Sequence, residues 1–365
     1  MRDDAAHTEA VFGLFDVASR GWSNVCNFFA RWNRRCIGLL LALAILIPWT
    51  PFSRSMPTMK PSYFARGTSP VSIVSFAFGA DGQTIATTDE SGRAILWRAA
   101  EGWAPSPAFK FPGRAQVVAI SSDCHFLAIG GDRPHLAVWD PRRASRECSL
   151  RIPARSPSNL KLSPDGQTLA ISSYDSPEIV LWDVVADHER QTLKGHSAPV
   201  LHLAFAPDGR SLASATGTIA DSRILIWNLA TGRPERHIAL PSAAQAMAYS
   251  PDSRLVASAS PHEKSVRIWA ARTGGPAQMI AGHSQSTRSV AFSPDGKLLA
   301  TGAGDGTAGL WSVVTGREIR RLDGQADVLR NVAFSPDGKT LAATANDGDI
   351  RFWDIDEVIA NVLDD

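Results

Sequence analysis

The chain has 365 residues, and its 37 Lys and Arg nearly balance its 36 Asp and Glu, which gives a formal net charge of +1. A protein that binds nucleic acid through a basic surface would carry a clear basic excess, so no nucleic-acid partner is expected. Hydrophobic residues make up 44% and charged residues 20%, which excludes an intrinsically disordered chain. The 4 cysteines show no CxxC spacing, so the sequence predicts neither a disulfide-stapled module nor a thiolate zinc site.

The N-terminal arm, residues 1–35, contains the first predicted element. When residues 11–35 are placed on a helical wheel, polar side chains such as Arg20 and Asn27 collect on one side and Phe12, Trp22 and Phe29 on the other. Such an amphipathic helix suits a membrane surface. The alternative is a helix packed against the folded domain.

An uncharged apolar run follows at residues 36–52, at the short limit of the roughly 17–25 residues that a spanning helix needs. Arg31, Arg34 and Arg35 precede it, and the positive-inside bias then places the N-terminus in the cytoplasm and the rest of the chain on the far side. We therefore expect residues 11–52 to contact a membrane, as a surface helix and a single-pass transmembrane or signal-anchor helix. Secretion after cleavage of a signal peptide is the alternative, although no Ala-x-Ala type site follows Phe52.

Residues 53–61 are predicted to be a linker, and beyond it the sequence repeats. A tryptophan recurs at intervals of about 42–45 residues, each time at the end of an alternating apolar run, which is the period of a repeat architecture. The seven markers are Trp97, Trp139, Trp182, Trp227, Trp269, Trp311 and Trp353.

A turn sequence, in its full form Ser-Pro-Asp-Gly, precedes each tryptophan. It is complete at residues 163–166, 293–296 and 335–338, has Ala in place of Ser at 206–209, and is weaker at 79–82, 121–124 and 250–253. Proline fixes φ on entry and Gly accepts a positive φ on exit, so each copy predicts a β-hairpin.

These marks resemble the WD-repeat β-propeller family, whose repeat runs from Gly-His to Trp-Asp. Gly-His occurs at 195–196 and 282–283, and Trp-Asp at 139–140, 182–183 and 353–354; the other copies lack one mark or the other. The resemblance covers residues 62–356 and implies an all-β fold of seven four-stranded blades around a channel. Residues 357–365 are then a C-terminal tail.

The resemblance also implies how the ring closes. In this family the last blade often takes its fourth strand from the N-terminal edge of the domain, so residues 63–65 are expected beside residues 350–353. The alternative is that residues 358–363 supply this strand, although the start of that segment equally fits a short helix.

The family's blades carry a buried hydrogen-bonded set of His, Ser or Thr, Asp and Trp, and two blades match it. The matching residues are His283, Thr301, Asp305 and Trp311 in one blade, and His196, Ser214, Asp221 and Trp227 in the other. A His–Ser/Thr–Asp group could also be a nucleophilic triad, but its recurrence favours a structural role. We predict no catalytic residues and no cofactor. We also predict no metal site, because the repeated Asp residues are explained by their role in the turns.

Partner contacts in this family lie around the first apolar residue of each inner strand and just before the turn Asp. These positions vary here, which suits recognition; the alternative is a merely solvated rim. They are Arg114, Gln116, Gln245, Arg288 and Arg330 in the first group, and Glu90, Asp132, His262 and Asn346 in the second. The sequence predicts a non-enzymatic, membrane-anchored scaffold for a protein or peptide partner, with Arg288 and Arg330 suited to an acidic or phosphorylated segment. The alternative is a propeller enzyme or a carbohydrate or small-ligand binder with its site in the channel.

Overall fold

The computed structural model describes residues 59–65, 71–106, 109–111, 113–120, 127–132, 136–139, 147–150, 156–324 and 328–360. The predicted amphipathic and membrane-spanning segments at residues 11–52 lie outside these ranges. Within them, no helix has the length and the apolar character needed to cross a membrane.

The described residues form seven antiparallel sheets, as the tryptophan period predicts. The first strand along the chain is β1 (Tyr63–Ala65), which joins the last sheet. Blade 1 contains β2 (Ile73–Phe78), β3 (Thr84–Asp89), β4 (Arg93–Arg98), β5 (Ala104–Pro105) and β6 (Phe109–Lys110). Blade 2 contains β7 (Ala115–Ile120), β8 (Leu127–Gly131), β9 (Leu136–Trp139) and β10 (Glu147–Leu150). Blade 3 contains β11 (Pro157–Leu162), β12 (Thr168–Ser173), β13 (Ser176–Asp183) and β14 (His188–Leu193).

The remaining four blades repeat this plan. Blade 4 contains β15 (Val200–Phe205), β16 (Ser211–Thr216), β17 (Arg223–Asn228) and β18 (Arg233–Ala239). Blade 5 contains β19 (Ala246–Tyr249), β20 (Leu255–Ala259), β21 (Ser265–Ala270) and β22 (Pro276–Ala281). Blade 6 contains β23 (Thr287–Phe292), β24 (Leu298–Ala303), β25 (Thr307–Ser312) and β26 (Glu318–Asp323). Blade 7 contains β27 (Leu329–Phe334), β28 (Thr340–Ala345), β29 (Ile350–Asp354) and the early strand β1.

The predicted hairpin turns are confirmed in the six blades whose turns the structure describes, while the turn at 121–124 lies outside the described residues. Blade 6 shows why the turn sequence makes them. Asp295 accepts hydrogen bonds from the Ser293 hydroxyl at 2.6 Å and the Lys297 amide at 3.0 Å. Gly296 has φ +73°, a conformation that glycine adopts without strain. The turn therefore holds β23 and β24 in antiparallel register, with Phe292 opposite Leu299.

The predicted closure of the ring is also confirmed. β1 pairs antiparallel with β29, with Tyr63 opposite Phe352 and Ala65 opposite Ile350. The alternative segment begins instead as a helix, α1 (Ile355–Ala360), whose Val358 is buried against blade 7. Closing a blade with strands from both ends of the repeat region leaves no gap between the last blade and the first.

The core lies between adjacent blades. In one buried cluster, Leu181 of blade 3 packs with Leu225 and Trp227 of blade 4; in another, Leu310 of blade 6 packs with Trp353 of blade 7. Burying such side chains contributes about 1.5–3 kcal/mol each. Packing between neighbours therefore holds the blades in a ring.

The inner strands β2, β7, β11, β15, β19, β23 and β27 surround the channel, and those of adjacent blades contact one another, including β27 with β2. We call the end of the ring where they begin the upper face; it carries the turns between second and third strands. The lower face carries the Ser-Pro-Asp-Gly turns and the turns between third and fourth strands. The strand plan thus assigns every turn to one of these faces.

Candidate functional site

In blade 6, the side chains of His283, Thr301, Asp305 and Trp311 form one hydrogen-bonded network. The Trp311 Nε1–H donates to the Thr301 hydroxyl at 2.7 Å, and His283 Nε2 lies 2.7 Å from the same hydroxyl. His283 Nδ1 lies 3.3 Å from Asp305 Oδ2, which also accepts from the Ser284 amide at 2.8 Å. This network links the second and third strands of the blade to the loops on its upper face.

Blade 4 contains the same kind of hydrogen-bonded network. Trp227 Nε1–H donates to the Ser214 hydroxyl at 2.7 Å, while His196 contacts Ser214 at 2.8 Å and Asp221 at 3.0 Å. The extra residues in this blade are taken up by a short 3₁₀ turn, Ile219–Asp221, which returns the carboxylate to the histidine. We call each of these two hydrogen-bonded sets a blade tie.

Burial and hydrogen bonding set the charge states within the blade ties. Burial lowers the pKa of His196 more strongly than Asp221 raises it, so the ring is held neutral near pH 7. Burial acts to raise the pKa of Asp305, but hydrogen bonds from His283 and Thr307 outweigh it and hold that pKa well below its ordinary value. In blade 4, a neutral imidazole can donate from one ring nitrogen to Asp221 and accept at the other from the Ser214 hydroxyl.

The geometry gives these groups no access to a substrate. Thr301 and Ser214 are 0% exposed, and each hydroxyl contacts both an indole and an imidazole. A catalytic nucleophile must approach a reacting carbonyl or phosphoryl atom. The blade ties therefore lack the accessible nucleophile that the triad hypothesis requires.

Two further blades keep part of the tie, which the sequence reasoning missed. Trp97 donates to the Thr87 hydroxyl at 2.8 Å, and Trp269 donates to the Ser258 hydroxyl at 2.9 Å. A hydroxyl residue ten or eleven positions before the tryptophan was the available signal.

Blades 3 and 7 lack this acceptor. The residues at the corresponding positions are Ile171 and Ala343, and the indole N–H groups of Trp182 and Trp353 have no partner within the described residues. An unpaired buried donor costs about 1–3 kcal/mol. Blades 3 and 7 therefore lack the stabilisation that blades 4 and 6 gain from this hydrogen bond.

Arginines on the third strand replace the histidine in other blades. Arg351 is 2% exposed and contacts Asp347, with Nη1 3.0 Å from Oδ1, while its Nε donates to the Gly324 carbonyl. Arg267 contacts Glu263 at 3.1 Å in blade 5. In both blades the arginine follows the acid of the upper turn by four residues, a spacing visible in the sequence but missed there.

The predicted partner-binding residues lie on the upper face or just below it, but they do not form a single cluster. Three come together across the boundary between blades 7 and 1, where Arg330 Nε donates to Asn346 Oδ1 and Arg330 Nη2 lies 3.9 Å from Glu90 Oε1. In blade 2, the Arg114 amide donates to Asp132 Oδ1 at 3.0 Å. Part of the hydrogen-bonding capacity of the Arg330 guanidinium is therefore used by neighbours on the upper face.

The other four predicted residues differ in exposure. Arg288 and His262 are exposed, and within the described part of the chain no hydrogen bond or ion pair involves the Arg288 guanidinium. Gln116 and Gln245 are half-buried, and Gln116 Oε1 has no partner among the described residues. Arg288 is therefore the most available of the predicted cationic contacts.

Two exposed apolar residues on the upper face were missed. Tyr174, in the upper turn of blade 3, is 49% exposed, and Ile219, in the upper turn of blade 4, is 73% exposed. Leu201, at the start of β15 in blade 4, is half-buried. Tyr174 and Ile219 stand in turns equivalent to those that supplied Glu90, Asp132, His262 and Asn346, so the sequence indicated their position. The exposure of Ile219 depends on how the insertion in blade 4 folds.

The structure offers little support for a chemical site elsewhere on the ring. Within the described ranges, no group of three or more His, Cys, Asp or Glu is placed to hold a metal ion. A shallow groove on the flank of blade 5 is lined by Arg267, Trp269 and Met279, and Arg267 is already paired with Glu263. This groove contains no pair of groups suited to acid–base catalysis.

Comparison with protein families identifies repeats of one kind. The model described as "WD domain, G-beta repeat" matches residues 188–228, 237–270, 274–312 and 316–354. These segments cover parts of blades 3 to 7, and their ends agree with the tryptophan period. Four segments of the chain thus match WD40 repeats, and the described residues form a seven-bladed β-propeller.

Several curated proteins are similar to parts of the chain. Periodic tryptophan protein 2 homolog of Dictyostelium discoideum is 31% identical over 182 residues, 49% of this chain and 19% of that protein. Protein LST8 homolog of Drosophila melanogaster is 28% identical over 167 residues, 42% of this chain and 52% of that protein. A WD repeat-containing protein of Synechocystis, sll1491, is 32% identical over 123 residues, 33% of this chain and 34% of that protein. The chain thus spans about half or less of the length of the relatives it matches.

Proposed function

We propose that the protein is a non-enzymatic interaction scaffold whose upper face binds a protein or peptide partner. The observation that carries this proposal is the contrast between the two faces of the ring. On the lower face, the same Asp-centred turn recurs, with carboxylates that accept amides of their own turns in blades 3, 5, 6 and 7. On the upper face, the exposed side chains differ from blade to blade, as recognition surfaces do.

The upper face has a cationic side and an apolar side. Arg288 and Arg330 belong to the adjacent blades 6 and 7, whereas Tyr174 and Ile219 belong to the adjacent blades 3 and 4. Blade 5 separates the two pairs on one side of the channel mouth, and blades 1 and 2 separate them on the other. A partner segment that crosses the mouth with an acidic or phosphorylated residue at one end and a bulky apolar residue at the other would match both.

The experiment compares two pairs of exposed apolar residues on opposite faces. Tyr174→Asp with Ile219→Asp changes the upper face, and Val185→Asp with Val314→Asp changes the lower face, where these valines are 80% and 82% exposed. Partners retained by the wild-type chain are identified by mass spectrometry and then quantified with both variants. Loss of the same partners from the upper-face variant alone supports the proposal, whereas equal loss from both variants contradicts it.

We also propose that residues 36–52 anchor the scaffold in a membrane, with the propeller on the far side from the cytoplasm. This part of the proposal rests on the uncharged apolar run and the arginines before it. Extraction with alkaline carbonate should leave the full chain in the membrane pellet, and protease added from the far side should reach the propeller. Recovery of a soluble form that begins after Phe52 would establish a cleaved signal peptide instead.

A further inference from the structure

The outer strand of blade 5, β22, has an open and uncharged edge. Among the described residues, no strand pairs with its outer side. Its sequence is Pro-Ala-Gln-Met-Ile-Ala, whereas the outer strands of blades 3, 4 and 6 each contain both acidic and basic residues. Charged side chains on an edge strand discourage pairing with another strand, so blade 5 lacks a protection that its neighbours have.

Blade 6 shows that an outer edge of this propeller accepts a further strand. Met59 forms a parallel bridge with Leu322 of β26. Its amide donates to the Arg321 carbonyl at 3.1 Å, and its carbonyl accepts from the Asp323 amide at 2.7 Å. The Arg321 carbonyl and the Asp323 amide therefore point away from the blade.

The strand register transfers this geometry to blade 5. Arg321 of β26 and Met279 of β22 each lie opposite the residue two places before the tryptophan of the third strand. Asp323 and Ala281 each lie opposite the residue four places before it. By this correspondence, the Met279 carbonyl and the Ala281 amide point outward from β22, where another strand can bond to them.

The exposed side chains of β22 form a symmetric pattern. Ala277, Met279 and Ala281 are exposed, with Met279 at 57%, while Ile280 is buried against blade 6. When a second copy of the strand lies antiparallel with Met279 opposite Met279, each Ala277 lies opposite an Ala281. Small and unbranched apolar side chains then face one another, and no charge is opposed or buried.

The same pairing is unfavourable for the outer strands of the neighbouring blades. In blade 6 it would place Arg321 opposite the Arg321 of the second copy, and in blade 3 it would place Arg190 opposite Lys194. In blade 4 it would place Glu235 opposite Ala239 and desolvate part of a carboxylate. Like charges directly opposite one another destabilise a sheet, so among blades 3 to 6 only β22 is complementary to itself.

Contacts from both neighbouring blades hold β22 in place. The Arg236 Nε–H of blade 4 donates to the Arg272 carbonyl, in the turn before β22, at 2.7 Å. On the other side, the Gln278 Nε2–H of β22 donates to the Thr315 carbonyl of blade 6 at 3.4 Å. An edge that is already ordered loses less conformational entropy when it pairs.

We propose that two copies of this chain associate through β22, antiparallel and about a two-fold axis at Met279, so that the two blades form one continuous sheet. A symmetric pair uses the same surface on both copies. The two Met279 side chains lie side by side, next to the groove lined by Arg267 and Trp269. This association does not depend on the upper face, because the contact lies on the outer edge of the ring and leaves both upper faces open.

Sedimentation velocity of the full chain in a mild detergent tests the pairing. Wild type should show a monomer–dimer equilibrium in which the dimer fraction rises with concentration. Met279→Arg places like charges opposite each other at the axis and should weaken dimerisation by about tenfold or more. The control is His237→Arg, at the corresponding exposed position of β18 in blade 4, which should dimerise like wild type. A wild-type chain that is monomeric at every concentration, or Met279→Arg that dimerises like wild type, overturns the proposal.

A charge exchange gives a second readout. Met279→Glu alone should also be monomeric, whereas an equal mixture of Met279→Arg and Met279→Glu should restore the dimer, because opposite charges then meet at the axis. Failure of the mixture to dimerise overturns the antiparallel pairing. If wild type is monomeric and Met279→Arg instead loses a captured partner, the edge binds a strand of that partner and the second-copy proposal is wrong.

Discussion

Blades 6 and 7 have the same strand order but different polar ties. In both, the first two strands pair with a register shift after the first residue pair, at Thr287 in blade 6 and Leu329 in blade 7. Blade 6 then connects Trp311 through Thr301 to His283 and Asp305.

Blade 7 has Ala343 in place of the hydroxyl, leaves Trp353 without an acceptor within the described residues, and holds Asp347 with Arg351 instead. Because the backbone is the same, the complete tie is not what determines the sheet. Strand alternation, the lower turns and packing between blades determine it, and the polar groups add stability and fix the upper turns.

Removing the central hydroxyl of blade 6 should cause the largest loss. Thr301→Val preserves the side-chain shape but leaves the indole of Trp311 and the imidazole of His283 without their shared partner, so the free energy of unfolding should fall by about 2–4 kcal/mol. Denaturant unfolding measures the change. Thr301→Ser retains the hydroxyl, as Ser214 does in blade 4, and should cost clearly less; equal losses from the two variants would mean that packing alone matters.

Acid should destabilise the chain through His202 of blade 4, because burial disfavours the charged imidazole. Blade 7 has Asn331 at the equivalent position, which donates to the Val74 carbonyl at 3.4 Å and does not titrate. The pKa of His202 is about 4 in the folded chain, against about 6.5 when unfolded, so the unfolded chain binds the additional proton. The stabilising contribution is complete above about pH 6.5 and is lost as pH falls towards 4, by up to about 3 kcal/mol.

His202→Asn should remove this part of the pH dependence while keeping a side chain that can donate to the next blade. Thermal unfolding of both proteins between pH 4 and pH 7 gives the difference. Parallel pH profiles would show that His202 is not desolvated.

Breaking the arginine tie of blade 7 should cost less than breaking the hydroxyl tie of blade 6. Arg351→Met leaves the carboxylate of Asp347 and the carbonyl of Gly324 without a buried donor, which should cost about 2 kcal/mol. The comparison is Arg267→Met in blade 5, whose side chain is 34% exposed against 2% for Arg351, so the loss should be below about 1 kcal/mol. Equal losses would contradict the role assigned to burial.

Supplying the missing acceptor should stabilise blade 7 slightly. Ala343→Ser places a hydroxyl at the position that serves Trp311 in blade 6, and the new hydrogen bond to Trp353 should add about 1 kcal/mol. The control is Ala342→Ser, a buried neighbour outside this tie, which should lose stability. If Ala343→Ser also destabilises the chain, the indole of Trp353 already has an acceptor.

Sequence reasoning succeeded where the signal was local. The spacing of the tryptophans and the Asp-Gly turns determines the blade number, and the leftover strand at Tyr63–Ala65 completes blade 7 because its place in the repeat was vacant. It missed Arg351 and Tyr174, because their roles depend on which residues of neighbouring strands and blades meet.

Binding by the upper face is the central claim, and charge reversal at Arg288 and Arg330 tests it most directly. The matched control reverses Arg210 and Lys297, exposed cations of the lower face. Both double variants should keep wild-type stability within about ±0.5 kcal/mol per site, while Arg288→Glu with Arg330→Glu should weaken partner capture by about tenfold or more. Capture that is unchanged in this variant, or equally weakened in the control, would contradict the assignment of the upper face as the recognition surface.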